Sequence, residues 1–526
     1  VAVQRVVSAS SSSIVAVLGA GTSGVVDVDI VANTGAVVAG ADVFTYLGDA
    51  RIILVEPPRG QLGTRLTITG TNLLGGGSSV SNVTIAGVPV LSVISGTATE
   101  VVVRAGASGT LGLSTIEITS SSGARVSRGE AWVYEAASQI DTVTPSSGQR
   151  GTVVTIAGSR LLGNNPVSGT SIASVLLGDQ PPARIVSSNS THVVVEAQNG
   201  TVGVTDVTVD ASNGARSVAR DGWTYLEDSV VAGASPAIGQ EGTRVQIAGS
   251  RLLGGGNEIT SVTLAGTAAT VVDGNDTIVN VVADAATAGS GDIVVTSDSG
   301  AFATQVNGWT YATAGVITSV TPAQGQASTR VTIEGTNLRG SGPSVDAVTL
   351  AGATAEIVSE SNTKVVVLAG ASVPGQGDVV VTSETGAFVR EANGFTYVEV
   401  GTIDRAVPDS GREGTRVTIN GTSLRGGGAA VSNVTVVGVD ATIVRENDTE
   451  VVVVLQQGLD ALTQGDIVIT STNGASVSRT DAFTYVDHGE ILAVDLSSGQ
   501  AGTVVNIAGV NLCGGGSSIV AATLAG

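Results

Sequence analysis

Short runs in which apolar and polar residues alternate recur along the whole chain. Arg65-Leu66-Thr67-Ile68-Thr69, Arg244-Val245-Gln246-Ile247 and Arg416-Val417-Thr418-Ile419 each place an apolar side chain at every second position. That is the period of a strand with one buried face. Clusters of Gly, Ser and Asn interrupt these runs and read as turns. The pattern predicts many short strands, with Val and Ile filling the space between two sheets and Thr, Ser and Asp facing water.

The strands fall into repeats. All six tyrosines close one tripeptide: Phe44–Tyr46, Trp132–Tyr134, Trp223–Tyr225, Trp309–Tyr311, Phe395–Tyr397 and Phe483–Tyr485. Their spacings are 88, 91, 86, 86 and 88 residues, the size of a small β-sandwich domain. A second signature follows each tripeptide, as in PPRGQLGTRLTITGTNLLGGG from Pro57 and PDSGREGTRVTINGTSLRGGG from Pro408. It also begins at Pro145, Pro236, Pro322 and Leu496. The two rings of each tripeptide lie two residues apart and so share one face of the last strand, which places them in the core.

The repeat disposes of a misleading motif. Residues 14–30, IVAVLGAGTSGVVDVDI, look like the strand and glycine turn of a dinucleotide site. In register, however, they match VVVRAGASGTLGLSTIEI at 101–118 and VVVLAGASVPGQGDVVV at 365–381. A strand follows Gly24 where the nucleotide fold needs a helix, so this is a glycine-rich hairpin.

The succession P-x-x-G-x-x-G-T-x-V-T-I-x-G-x-x-L, V-T-I-A-G, V-V-V, G-D-I-V-V-T-S and W/F-T-Y resembles the IPT/TIG family. The resemblance runs over essentially the whole chain. It implies immunoglobulin-like β-sandwiches of about seven strands, in a family that serves mostly as spacer and interaction module. The implied fold is all-β, a tandem array of six sandwiches, with complete domains at 48–135, 136–226, 227–312, 313–398 and 399–487. Residues 1–47 match the C-terminal half of a further domain and residues 488–526 the N-terminal half.

Those two halves are complementary. Writing ATLAG before VAVQRVVS reproduces the repeat without a gap, with Val1, Val3, Val6, Val7, Leu524 and Gly526 at the join. The join gives a spacing of 87, from the 41 residues after Tyr485 and the 46 that run to Tyr46. Unpaired strand edges are sticky, and head-to-tail joining of such halves builds an open filament. Separate 526-residue subunits that complete one another, and one unit of a longer continuous repeat protein, both satisfy the pattern.

Composition narrows the partners. The net charge is −21, and Lys364 is the single lysine among 24 bases, so a phosphate backbone would be repelled and nucleic acid is excluded as a partner. The DNA-binding members of the family use basic loops that this chain lacks. No apolar run is long enough to span a bilayer. The lone Cys513 rules out intrachain disulfides and reads as a tolerated loop residue. His192 and His488 stand in different repeats, neither with a Cys, Asp or Glu at metal-ligand spacing along the sequence, and no nucleophile elbow or phosphate loop recurs. We expect no enzyme and no resident cofactor.

Two kinds of site remain. Sequons for N-linked glycans occur at Asn82, Asn189, Asn199, Asn275, Asn420, Asn433 and Asn447. Asn189, Asn275 and Asn447 share one turn position, and asparagine also favours turns for its own hydrogen bonding. The segments between domains carry Asp49, Glu227, Asp228, Glu399, Asp487 and Glu490, hard oxygen donors that make calcium conceivable there. The expected function is an extracellular or cell-surface fibre protein that joins itself head to tail, with glycans attached. The alternative is a surface adhesin or receptor ectodomain that binds glycans or proteins through its loops.

Overall fold

Among the described residues every regular element is a strand, as the alternating pattern requires. The structure, a computed structural model, describes residues 2–163, 170–182, 184–457 and 462–523. It divides into two units: one takes in residues up to Val230 together with 250–260 and 296–303, and the other takes in the remainder.

In the first unit, residues 50–134 form a sandwich of two sheets. One sheet has the order Ser92–Gly96, Glu100–Arg104, Arg65–Thr71, Arg51–Glu56. The other has the order Arg59–Gly60, Arg125–Tyr134, Gly112–Ser120, Val80–Ile85, Val88–Pro89. Leu66, Ile68, Val101 and Val103 of the first sheet meet Val83, Ile85, Ile116, Ile118 and Trp132 of the second in one core. Proline cannot donate to a sheet ladder, so strands break beside it. Pro89 follows that rule, dividing the run 88–96 into two short strands.

In the second unit no proline stands at that position. There a single strand, Ala353–Glu360, pairs with Val345–Leu350 in one layer and with Lys364–Leu368 in the other. Val439–Glu446 does the same in the next repeat. Val417, Ile419, Val451, Val453, Ile467, Ile469 and Phe483 form that repeat's core.

The aromatic tripeptides lie inside, as their spacing predicts. Trp132, Trp223 and Trp309 are fully buried. Trp132 and Tyr134 meet edge to face with ring centroids 4.6 Å apart, a favoured aromatic geometry. Burial pushes the Tyr134 hydroxyl up to about 12.

Residues 14–17 and 24–31 are strands, so the glycines between them join two strands and do not open a helix. The segments 2–47 and 488–523 hold only two-stranded sheets. Arg5–Ala9 pairs with Ile14–Val17, Gly24–Val31 with Val37–Tyr46, and Glu490–Val494 with Ile507–Val510. The structure thus does not contain a closed sixth sandwich, and both segments present the apolar faces that complete repeats bury.

Candidate functional site

The stretch from Gly60, Gly148, Gly239 and Gly325, G-Q-x-G-T in the first three and GQAST in the fourth, forms a tight turn for an identifiable reason. The threonine hydroxyl accepts the backbone N–H of the residue three positions before it: Thr64 from Gln61 at 2.9 Å, and Thr152, Thr243 and Thr329 from Gln149, Gln240 and Gln326 at 3.0 Å. These threonines are fully buried. The turn holds the glutamine side chain out toward the following repeat.

That side chain bridges to the next domain in these four repeats, while the repeat 399–487 has Arg412 in its place. In the first unit, Gln61 Oε1 accepts the Ser138 N–H and its Nε2 donates to Ser138 Oγ, which Ser217 Oγ also reaches at 2.6 Å. Gln149 repeats the bridge on Ser229, with the Ser229 N–H at 2.6 Å from Oε1. In the second unit, Gln240 accepts the Gly315 N–H at 2.8 Å and donates to the Phe388 carbonyl at 2.8 Å. Gln326 accepts the Gly401 N–H and donates to the Ser476 carbonyl, both at 2.9 Å. All four glutamines are buried, and a buried amide with both ends paired is costly to disturb.

A backbone bond adds to each bridge. Arg65 N–H donates to the Asn213 carbonyl at 2.9 Å, Val153 to Ser299 at 2.8 Å, Arg244 to Thr385 at 2.8 Å and Arg330 to Asn473 at 2.7 Å. At two junctions a ring seals the contact. Gly151 and Gly242 hold positive φ angles of 88° and 84°. A Cβ there would fall 2.5 Å from the Phe302 ring and 2.6 Å from the Phe388 ring, so the glycines are needed both for conformation and for close approach.

Calcium has no comparable support. Among the described residues no group of three acidic, histidine or cysteine side chains gathers. Glu227 pairs with Arg251 at 3.2 Å. Several other acids have structural work instead: the carboxylates of Asp27, Asp206, Asp292, Asp378 and Asp466 accept the N–H of Asp42, Asp221, Asn307, Asn393 and Asp481, each 15 residues on. The five residues that donate have positive φ, so the aspartates cap a strained bulge just before the aromatic tripeptide. The Asn393 N–H, joined by Arg390, holds the Asp378 carboxyl below its ordinary range.

The seven sequon asparagines separate by geometry. Asn189, Asn275 and Asn447 sit in hairpin turns, where Oδ1 accepts the N–H groups two and three residues on and the threonine hydroxyl; for Asn275 these distances are 2.9, 3.0 and 3.0 Å. The same pattern holds at Asn447 and Asn189. Ser361 performs this task in another repeat, so the turn itself accounts for much of the motif. Asn82 is exposed on a strand and Asn199 on a loop, whereas Asn420 is half-buried within a strand. Asn433 spends its Nδ2 on Asp440 at 3.0 Å.

Of the residues expected at the join, Val3, Val6 and Val7 are exposed, while Val1, Leu524 and Gly526 lie outside the described residues. Cys513 is free and exposed. Two open hollows are also present. One, of about 500 Å³, is lined by Arg405, Asp409, Gln464, Arg479 and Asp481. The other, of about 380 Å³, is lined by Arg150, Glu196, Gln198, Asn199 and Phe302, with the Arg150 guanidinium 4.8 Å over the Phe302 ring. Among the described residues no helix is long and apolar enough to cross a membrane.

The bridging glutamines are the functional residues that the sequence reading passed over. Their signal was present, since glutamine recurs at 61, 149, 240, 326 and 500 in one motif, but only the flanking glycines were read.

A family model of the IPT/TIG domain matches residues 50–130, 138–225, 229–311, 316–397 and 402–485. No curated protein matches the chain. Among solved structures, the full extracellular region of plexin A4 is 14% identical over 85% of this chain, with a TM-score of 0.30, and the chain spans 50% of its length. The surface glycan-binding protein B of a Bacteroides ovatus mixed-linkage glucan utilization locus, in complex with a heptasaccharide, is 15% identical over 53% of this chain and 74% of its own, with a TM-score of 0.16. The eight N-terminal Ig domains of Down syndrome cell adhesion molecule are 11% identical over 90% of this chain and 77% of their own, with a TM-score of 0.21. At such identities and TM-scores these likenesses do not bear on function.

Proposed function

The chain belongs to the IPT/TIG domain family, and from that premise we propose that it is an extracellular structural protein, without enzymatic activity, in which tandem sandwiches are held at fixed junctions and copies join head to tail into a fibre. The observation that carries this reading is the recurrence of one glutamine bridge at successive junctions. A flexible string of binding modules has no need of buried hydrogen bonds between neighbours; a load-bearing or spacing element does.

The experiment is sedimentation velocity on the chain of residues 1–526, with negative-stain imaging of the same sample. Polar, concentration-dependent strings support the fibre. A chain that stays monomeric at high concentration while its domains remain folded refutes it. In native material, the denatured mass tells a discrete subunit from a continuous polymer.

The second reading, a surface adhesin or receptor ectodomain, rests on the hollow between Arg405, Asp409, Arg479 and Asp481, whose mixed charges and amide suit polar ligands. Screening the chain against a panel of glycans tests it: saturable binding that Arg479→Ala abolishes would favour this reading over the fibre.

A further inference from the structure

We propose that the hollow in the repeat 399–487 binds an acidic sugar, a single uronate ring within an otherwise neutral glycan, with Arg405 and Arg479 on its carboxylate and Asp409 and Asp481 on its hydroxyls. This rests on the second reading above and names the ligand class of that same hollow.

The warrant begins with a comparison of the repeats. Side chains that the sandwich needs recur from one repeat to the next, whereas a binding site is grafted onto one of them. Arg405 stands where the other complete domains have Leu54, Thr142, Gly233 and Ser319, and Asp409 where they have Pro58, Ser146, Ala237 and Ala323. Arg479 has a duty that does recur. Its Nη1 donates to the Asp404 carbonyl, as Arg128 donates to that of Ile53 and Gln305 to that of Ala232. The fold thus accounts for a donor at 479, and for neither Arg405 nor Asp409.

The strands gather these groups around one space. Thr402–Val407 carries Arg405, Thr463–Ser471 carries Gln464, and Ser476–Tyr485 carries Arg479 and Asp481. Asp481 has positive φ, its N–H donates to Asp466 at 3.0 Å, and its carbonyl accepts Gln464 Nε2 at 3.0 Å. Its place on the hollow is therefore fixed through its own backbone. The ion pairs of this repeat are Arg425 with Glu446 and Arg445 with Glu450. Arg405, Asp409 and Asp481 stand outside them and line the hollow with their charges unpaired among the described residues. Ala482 and Val486 add an apolar wall. This flank is open beside an occupied junction too: in the repeat 313–398, which a complete domain follows, the equivalent Ser319, Ala323, Gln376, Glu391 and Asn393 are all exposed.

Guanidinium N–H groups match both oxygens of a carboxylate, and free carboxylates accept hydroxyl protons. Ser410 and Thr484 add neutral hydrogen-bonding groups, which suit a ring of hydroxyls, and the apolar wall suits the C–H face of that ring. A hollow of about 500 Å³ is of a size that takes a small molecule. The net charge of −21 opposes the approach of a polyanion. It favours one carboxylate among uncharged sugars over a polyuronate or a sulfated chain.

The test is saturation-transfer NMR on the chain of residues 1–526, with methyl glucuronide as the probe and methyl glucoside as its uncharged counterpart. The glucuronide should bind saturably, and the glucoside about tenfold more weakly or worse. Arg405→Ala should weaken glucuronide binding by a similar factor without moving the unfolding midpoint, and Arg405→Lys should keep part of the binding. Equal binding of the glucoside overturns the acidic-sugar assignment. So does equal binding of glycylglycine, which has both charges and no hydroxyls. Glucuronide binding that Arg405→Ala leaves intact overturns the site. If the glucuronide fails to bind while a neutral glycan binds and Arg479→Ala abolishes it, this inference fails and the adhesin reading stands. If no glycan binds, both fail.

Discussion

Replacing Gln326 by alanine is the most direct probe of a junction. In the second unit Gln326 Oε1 accepts the Gly401 N–H and Nε2 donates to the Ser476 carbonyl, and Gln326 is 2% exposed. Alanine removes both bonds, at a net of about 1 kcal/mol each, and leaves the buried Gly401 amide without its acceptor, which costs about 1–3 kcal/mol more, less whatever an entering water restores. The stability of that junction should therefore fall by about 2–4 kcal/mol. The backbone bond from Arg330 to Asn473 remains, so the domains should stay folded and the loss should be local. Amide hydrogen exchange on the full chain reads this out at Gly401 itself. A fall of that size accelerates exchange about 30- to 1,000-fold, while Val331 and Ile333 in the adjoining core keep their protection. Exchange at Gly401 within about threefold of the parent would refute the bridge as a stabilising contact.

Other outcomes follow from the same geometry. Trp223→Ala empties a fully buried core position and should cost its domain about 3–5 kcal/mol in urea unfolding. Gly242→Ala should loosen its junction, read as faster exchange at Gly315, because the new Cβ meets the Phe388 ring and the Gly386 carbonyl and the backbone holds a positive φ; a second change, Phe388→Ala, should remove the ring contact but neither the 2.8 Å approach to the Gly386 carbonyl nor the backbone strain of about 1–2 kcal/mol. Burial raises the hydroxyl pKa of Tyr134, to about 12, and also those of Tyr225, Tyr311, Tyr397 and Tyr485. Because the folded values lie above the unfolded one, this stability is intact below about pH 10 and is lost as pH rises through the folded values. Unfolding should thus precede or accompany tyrosinate absorbance in an alkaline titration, and tyrosines that ionise near pH 10 without unfolding would count against it. In a chain passed through a eukaryotic secretory route, Asn275 and Asn447 should carry glycans and Asn433, tied to Asp440, should not; peptide mass mapping decides.

The strand layout was legible because its signal is local. Alternation in Arg416-Val417-Thr418-Ile419 states which side chains face inward, and a ring pair two residues apart cannot face both ways. The shared turn of Asn189, Asn275 and Asn447 was equally visible. Gln149 was harder, because its partner Ser229 lies 80 residues away and nothing in a strand period says which groups of the next repeat come within reach. The aspartates of the G-D signature were hidden in a similar way. Asp292 was one acid in a surplus until the Asn307 N–H was found beside it. Calcium at the junctions was a reading of charge alone, and among the described residues those acids do not gather into a group of three.

In the second unit the bridging glutamines hydrogen-bond to the main chain of the next domain: an N–H at Gly315 or Gly401 and a carbonyl at Phe388 or Ser476. Every residue type offers that carbonyl, and all but proline offer that N–H. Hydrogen bonds written in backbone atoms ask little of the neighbour's side chains beyond the room that Gly340 and Gly426 leave beside the amide. Whole repeats can then be duplicated, deleted or exchanged between related genes without a matching change next door, and their outer faces can diverge freely. Length becomes an evolutionary variable separate from the fold, set by how many copies of the unit a gene happens to encode.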